Sequence, residues 1–265
     1  MLRLLKNIAL KRIAGIARNI LGLSLCVLTV SCGGGGGSSG GSDPAISPID
    51  LSTPLNGSIT TDTVVASAAT GASYPISVYV PADYATTTDY LRVIYILDGG
   101  ADNGDRLPNL AKITEQHGLR AVLIGIGGYA RREIDCELAG ARDFYAFITT
   151  ELIPFIESKY RIDPNARTLA GHSLGGLFAV VALVMDRPDH RYFANYISQC
   201  TSTWGEEPQL FDMEQKLFTE SAGNLPGTTL VLSGDVLGND FWVERVYQRF
   251  LARHYQGLQL LRIPG

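Results

Sequence analysis

A serine flanked by glycines lies in the segment RTLAGHSLGGLFAV, residues 167–180, where an apolar run changes its period. Residues 171–175 match the pattern G-x-S-x-G, with Ser173 at the centre. A short strand is predicted before the motif and a helix that is apolar almost all round after it, which is the context of a nucleophile elbow. Such a turn presents the serine hydroxyl beside a helix N-terminus. The alternative is a glycine-rich turn with an incidental serine, because glycine makes up 29 of the 265 residues.

A serine hydroxyl needs a general base, an acid that orients the base, and donors for the developing oxyanion. The residue after the nucleophile supplies one donor, which predicts the Leu174 amide. The segment LDGG ends an earlier strand, so we predict the Gly100 amide as the second donor, the alternative being a plain Asp-Gly turn. The acid should follow the strand TTLVLSG, where we prefer Asp235 to Asp240, since Asp240 could equally cap the next helix.

The elements that would position these residues alternate between strands and helices. Apolar runs predict strands at residues 64–69, 75–81, 91–98, 120–128, 167–171, 192–198, 228–234 and 258–263. Helical spacing predicts helices at 141–160, kinked by Pro154, and at 173–186 and 241–256. This alternation indicates a mostly parallel central sheet with helices on both faces. With the motif at Ser173, it predicts an α/β-hydrolase fold.

No histidine stands where this chemistry needs its base. In an α/β-hydrolase the histidine follows the last strand, and here the last predicted strand leads directly to Gly265. We expect surface or packing roles for the four histidines that are present, His117, His172, His190 and His254. We therefore expect the catalytic histidine beyond residue 265, and we expect the chain as given to be truncated after its last strand and nearly inactive.

Four segments resemble the esterase D superfamily, which contains enterochelin esterases, S-formylglutathione hydrolases, feruloyl esterases and mycolyltransferases. They are VIYILDGG, ELIPFIESKYRID, RTLAGHSLGGLFA and ISQCTSTWG, and the similarity runs from about residue 76 to residue 265. Enterochelin-esterase-like members are the most similar. The resemblance implies an α/β-hydrolase with Ser173 as nucleophile and Leu174 and Gly100 as oxyanion donors.

The chain also departs from that family in two places. ARREID, residues 130–135, resembles an arginine-rich loop that borders the family's active site. The aromatic residue and proline that usually follow its aspartate are replaced by CEL, residues 136–138. Leu237 stands at the family's usual position for the acid, so neither Asp235 nor Asp240 has the usual spacing.

The N-terminus predicts export. Residues 1–31 carry five basic residues and no acid before an eleven-residue apolar run, 20–30, which is too short to span a bilayer and fits a signal peptide. The junction resembles a bacterial lipoprotein signal with Cys32 as the lipidated residue, although plain secretion is the alternative. Residues 32–50 then form a Gly/Ser-rich tether, and residues 51–265 the esterase domain. We expect a lipid-anchored protein of the bacterial cell envelope.

The net charge and the cysteines indicate which partners, metal sites and disulfides to expect. The formal net charge of −4 becomes −9 without the signal peptide, and Lys and Arg are scattered, so nothing indicates a nucleic-acid partner. Besides Cys32, the exported chain would hold Cys136 and Cys200, whose spacing does not fit a zinc site. We predict a disulfide between them, joining the arginine-rich loop to the tryptophan loop, the alternative being two separate thiols.

The sequence thus favours a serine carboxylic-ester hydrolase of the enterochelin-esterase type. An acyl-enzyme would form on Ser173, with a small-molecule ester as substrate and no cofactor or metal. Two alternatives share these residues: a non-catalytic envelope lipoprotein that keeps the fold, and an acyltransferase of the mycolyltransferase type. Siderophore, feruloyl and simple acyl esters are not distinguished.

Overall fold

The strands of the chain form one twisted layer. The computed structural model describes residues 49–104, 106–234 and 239–263, and these residues contain eight strands in the order β1-β2-β4-β3-β5-β6-β7-β8. The predicted signal peptide, Cys32, most of the tether and Asp235 lie outside the described residues. The strand bounds are β1 Ser58–Ala66, β2 Ser73–Val80, β3 Leu91–Leu97, β4 Ala121–Ile126, β5 Ile162–His172, β6 Asn195–Gln199, β7 Asn224–Ser233 and β8 Gln256–Ile263.

Most of the sheet is parallel. Strands β3 to β8 all pair in parallel, whereas β1 pairs antiparallel with β2, and β2 pairs antiparallel with β4. Every residue of β4 is buried, as is expected for a parallel strand covered on both faces. The predicted α/β-hydrolase architecture, a mostly parallel central sheet with helices on both faces, is therefore confirmed.

The helices follow the strands in the expected alternation. Their bounds are α1 Arg106–Gln116, α2 Arg132–Cys136, α3 Leu138–Ala146, α4 Ile153–Glu157, α5 Leu174–Met185, α6 Glu207–Glu220 and α7 Asp240–Arg253. Short 3₁₀ turns cover Ala101–Asn103 and Tyr129–Arg131. Helix α5 is apolar on nearly all sides and buried along most of its length, since it packs between β5, β6 and neighbouring helices.

A π-helical turn, Phe147–Leu152, lies between α3 and α4, just before Pro154, where the sequence predicts a kink. Pro154 has no amide hydrogen to donate to the carbonyl four residues earlier, which would interrupt a regular α-helix. The Ile153 amide instead donates to the Ile148 carbonyl, five residues back. The π-helical turn thus accommodates one extra residue, and the chain continues directly into α4.

The two faces of the sheet carry separate apolar clusters. One face packs α2 to α7 over β3, β5, β6 and β7, with buried side chains such as Phe144, Phe147, Phe178 and Leu217. The other face packs Leu107, Leu110 and Ala111 of α1 against β3 and β4. Among the described residues, no helix is both long and apolar enough to cross a membrane.

Candidate active site

Ser173 occupies the sharp turn between β5 and α5. Its backbone has φ 59° and ψ −115°, a conformation that a non-glycine residue adopts only under strain. Ser173 is the N-cap of α5, and its amide donates a 2.8 Å hydrogen bond to the Gln199 carbonyl of β6. The turn therefore holds the serine at the carboxyl end of β5, where parallel sheets bind ligands.

The glycines around Ser173 are required by close backbone contacts. A Cβ atom on Gly171 would lie 2.1 Å from the Gly175 carbonyl oxygen, and one on Gly176 would lie 2.6 Å from the Gln199 carbonyl oxygen. Both distances are far below van der Waals contact, and both obstacles are main chain. The turn can consequently form only without side chains at these two positions.

The two predicted oxyanion donors lie at the start of the helical turns that follow β5 and β3, which are neighbouring strands. Leu174 is the first residue of α5, so its amide belongs to the first turn, whose amides have no intrahelical acceptor. Gly100 precedes the 3₁₀ turn after β3, and a Cβ atom there would lie 2.4 Å from Gly127 Cα. Within the described ranges, neither amide donates a hydrogen bond to another group. Both amides are thus available for a ligand, and their role stays a prediction.

An arginine–aspartate pair borders the serine. Arg132 Nη2 lies 3.1 Å from Asp98 Oδ2 and also donates a 3.1 Å hydrogen bond to the carbonyl of His172, the residue before Ser173. Burial raises the pKa of Asp98, and the charges of Arg132 and then Arg106 offset part of that rise. Burial likewise lowers the pKa of Arg106, with Asp98 opposing the effect. Arg106 thus interacts with Asp98 through its charge only, and the charge of Asp102 also acts on this carboxyl group.

Large apolar side chains are exposed on the loops at this edge. Tyr129 follows β4, Ile134 lies in α2, Trp204 follows β6 and Phe241 is the second residue of α7, with exposed fractions of 43%, 59%, 67% and 60%. All four belong to segments that leave the carboxyl ends of strands, or to the helix after such a segment. These side chains form a rim on the same edge of the sheet as Ser173, and aromatic rings are suited to contact planar or apolar ligands.

Of the two candidate acids, only Asp240 belongs to the part of the chain that the structure describes. Asp235, the preferred acid, lies outside the described residues. Asp240 is the first residue of α7 and Asn239 is its N-cap, so Asp240 does not occupy the capping position that was the alternative to a catalytic role. The Asp240 carboxylate pairs with Arg262 of β8. Asp240 therefore has a structural partner that links α7 to the last strand.

Three of the four histidines lie at the opposite edge of the sheet. His117 follows α1 before β4, His190 lies between α5 and β6, and His254 ends α7 before β8. Each precedes a parallel strand and therefore lies at the amino edge, and all three are exposed. His172 is at the carboxyl edge but immediately precedes Ser173 in the chain. Within the described residues, no cluster of His, Cys, Asp or Glu is arranged to hold a metal ion.

The chain is similar to known proteins. A family model described as "Putative esterase" matches residues 67–234, which is more than half of the chain. The chain belongs to this esterase family. A curated relative, the ferri-bacillibactin esterase BesA of Bacillus subtilis (strain 168), is 35% identical over 101 residues. That alignment spans 38% of this chain and 34% of the relative, so it covers about a third of the relative's length.

Solved structures reproduce the fold at lower identity. The BES protein from Bacillus cereus has a TM-score of 0.63 at 23% identity, over 78% of this chain and 88% of that one. The siderophore hydrolase EstA from Aspergillus nidulans has a TM-score of 0.61 at 20% identity, over 84% and 92% of the two chains. At such identities the likeness establishes the fold.

The predicted disulfide is absent from this esterase chain. Cys136 and Cys200, both within the described residues, are buried thiols that are not bonded to each other. Cys136 ends α2 and packs in the apolar cluster with Phe144, and burial raises the pKa of its thiol far above the usual range. Cys200 follows β6, where its amide donates to the Ser233 carbonyl of β7. The two residues are held by different elements, so their common edge of the sheet was insufficient to predict a bond.

Sequence reasoning also missed two residues close to the candidate nucleophile. Ser202 Oγ lies 3.1 Å from Ser173 Oγ, and Asn239 Nδ2 lies 3.3 Å from Ser202 Oγ. The segment ISQCTSTWG was noticed only for its resemblance to a family loop. The available signal was that Ser202 follows the strand adjacent to β5, because loops after neighbouring parallel strands meet at one edge.

Proposed function

We propose that this esterase-family chain is a serine carboxylic-ester hydrolase that acts through an acyl-enzyme on Ser173. The observation that carries the proposal is the strained Ser173 backbone at the β5–α5 turn, because strain of this kind persists where function requires it. Membership of the esterase family supports the same reaction class. The alternatives of a non-catalytic lipoprotein and of an acyltransferase have no comparable support.

The reaction would proceed in two steps at Ser173 Oγ. The hydroxyl oxygen attacks the ester carbonyl, its proton passes to a general base, and the resulting tetrahedral oxyanion accepts hydrogen bonds from the Leu174 and Gly100 amides. The carbonyl then re-forms as the alcohol leaves with that proton, and water cleaves the acyl-enzyme by the same route. The base that we predict is a histidine after β8, oriented by Asp235.

The same edge supports an anionic, aromatic ester as substrate. Arg132 and Arg106 place two guanidinium groups near the loop beside Ser173, and Tyr129 and Trp204 are exposed at the same edge of the sheet. Siderophores bind ferric iron through anionic oxygen donors, and the relative BesA is named for a ferri-siderophore ester. We therefore propose siderophore esters as the substrate class. We also propose that the chain is anchored to a membrane through a lipid attached to Cys32.

The reaction is tested with a fluorophosphonate probe and p-nitrophenyl acetate. Expressed from the complete gene, the wild type should be labelled and should hydrolyse the ester, and Ser173→Ala should lose both activities. Ser158→Ala, a serine at the end of α4, serves as the matched control and should behave as wild type. A wild type that is folded but neither labelled nor active would favour the non-catalytic alternative.

Substrate charge is tested by ionic strength. Added salt screens exposed charges, so KM for a ferri-siderophore ester should rise with salt, whereas KM for neutral p-nitrophenyl acetate should stay constant. Arg106→Gln should weaken this salt dependence. Equal salt responses for the two esters would contradict the proposed role of the arginines.

The lipid anchor is tested by metabolic labelling with a fatty-acid analogue. The wild type should be labelled, and Cys32→Ala should not be labelled.

A further inference from the structure

Ser202 is a buried hydroxyl in contact with the candidate nucleophile. It lies in the loop after β6, where Cys200, Thr201, Ser202 and Thr203 are all at most 1% exposed. Besides the 3.1 Å contact between the two Oγ atoms, the Ser202 amide donates a 3.3 Å hydrogen bond to the Ser173 carbonyl. Ser202 therefore contacts both the main chain and the side chain of Ser173.

The neighbours of Ser202 restrict the direction of its hydrogen bonds. Asn239 Nδ2 lies 3.3 Å from the Cys200 carbonyl oxygen and 3.3 Å from Ser202 Oγ. A carbonyl oxygen can only accept, so the NH₂ group of Asn239 must face this pair of oxygens, and its second hydrogen can be donated to Ser202 Oγ. The Ser202 proton is then directed to Ser173 Oγ, or to the Cys200 carbonyl at 3.3 Å.

We infer that Ser202, supported by Asn239, is a positioning residue that holds the Ser173 hydroxyl in its reactive orientation. A hydrogen bond donated by Ser202 occupies one lone pair of Ser173 Oγ and restricts rotation about the Cα–Cβ bond. The Ser173 proton then remains free to point toward the base. The inference rests on the proposed nucleophilic role of Ser173.

The test compares Ser202→Ala with a matched variant in the same loop. Thr203 Oγ1 is buried without a hydrogen-bond partner among the described residues, so Thr203→Val removes a neighbouring hydroxyl without removing a bond. The second-order rate constant for fluorophosphonate labelling of Ser173 should fall about tenfold in Ser202→Ala, the equivalent of one net hydrogen bond, and should not change in Thr203→Val. For ester hydrolysis, kcat should fall similarly while KM stays within about twofold.

Asn239→Ala supplies the second readout. Because Asn239 acts through Ser202, its loss should slow labelling in the wild-type background and should have little further effect in the Ser202→Ala background. A purely structural role predicts instead that the rate losses add and follow the thermal midpoint of unfolding.

Two results separate the inference from the proposed function. A labelled wild type whose Ser202→Ala variant reacts at the same rate would overturn the role of Ser202 and leave Ser173 as nucleophile. A wild type that is not labelled would contradict the proposed function, and the role of Ser202 with it.

Discussion

At the scale of single residues, the turn at Ser173 depends on glycines that have no room for a side chain. Gly171→Ala would place a methyl group 2.1 Å from the Gly175 carbonyl oxygen, so β5 and α5 would have to separate. We expect a loss of about 1–3 kcal/mol in the free energy of unfolding, together with loss of fluorophosphonate labelling.

Gly205→Ala is the matched control for that substitution. A Cβ atom on Gly205 meets nothing within 4 Å, and the residue lies in the next loop of the same edge. Its unfolding free energy and its labelling should match wild type. A Gly171→Ala variant with normal labelling would show that the turn tolerates a side chain, against the geometry described.

Asp98 gives the protein a pH-dependent stability. Burial raises the pKa of Asp98, so the folded state keeps this proton at pH values where the unfolded chain has lost it. The preference of folded Asp98 for its proton therefore stabilises the folded state fully at pH values below the ordinary aspartate pKa. This stabilisation is lost as the pH rises through the raised pKa of the folded state. We expect the stability difference between wild type and Asp98→Asn to fall with rising pH in that window, by at most about 1.4 kcal/mol per pH unit. Urea unfolding at several pH values measures it, and a constant or growing difference would contradict the raised pKa.

The sequence could place Ser173, Leu174 and Gly100 because each follows directly from a strand end or from the motif. Ser202 and Asn239 were not predicted. They approach Ser173 only because β6 and β7 follow β5 in the sheet, and that order is a long-range property. The cysteine pairing was wrong for a related reason, since a common edge of the sheet does not give the distance between two sulfurs.

At the scale of elements, a fully buried carboxylate helps to join α6 to α7. Glu214 of α6 is fully buried and accepts hydrogen bonds from Arg249 Nε at 2.6 Å, Arg253 Nε at 3.1 Å and Tyr255 Oη at 2.8 Å. We expect Glu214→Gln to lower the free energy of unfolding by about 2–4 kcal/mol, because both guanidinium groups lose their charged partner. Chemical denaturation measures this loss.

An exposed pair on the same helix is the control. Lys216 and Glu220 are 3.7 Å apart and mostly exposed, so Glu220→Gln should change stability by no more than about 0.5 kcal/mol. Similar losses in the two glutamine variants would mean that burial does not determine the strength of the Glu214 contacts.

Helix α6 was not predicted from the sequence. Its buried positions include Leu210, Glu214 and Leu217, which have helical spacing, but the middle position is a charged residue. A search for apolar periodicity therefore finds no continuous stripe. Strands β3, β4 and β8 were predicted to within two residues of their observed bounds because apolar residues make up most of each run, whereas β7 begins four residues before its predicted start. The strand before Ser173 was predicted too short, since β5 begins in the polar residues from Ile162.

At the scale of the whole molecule, the parallel sheet separates the histidines from the nucleophile. Helix α7 starts at the carboxyl edge and its 14 residues span about 20 Å before His254, at the amino edge. We expect the triple variant with alanine at His117, His190 and His254 to fold and to keep wild-type labelling of Ser173, because all three side chains are exposed and distant. A marked loss of labelling in a folded triple variant would contradict this placement, and single variants would then identify the residue.

The backbone conformation of Ser173 has a consequence for the evolution of this family. A glycine would adopt φ 59° without strain, and relief of such a conformation is worth on the order of 1–3 kcal/mol. In a lineage under selection for stability alone, Ser173→Gly would thus be a favourable substitution. A serine retained at this turn indicates selection on the hydroxyl, and a homologue with glycine there would be the expected form of a relative that has abandoned catalysis for another use of the fold.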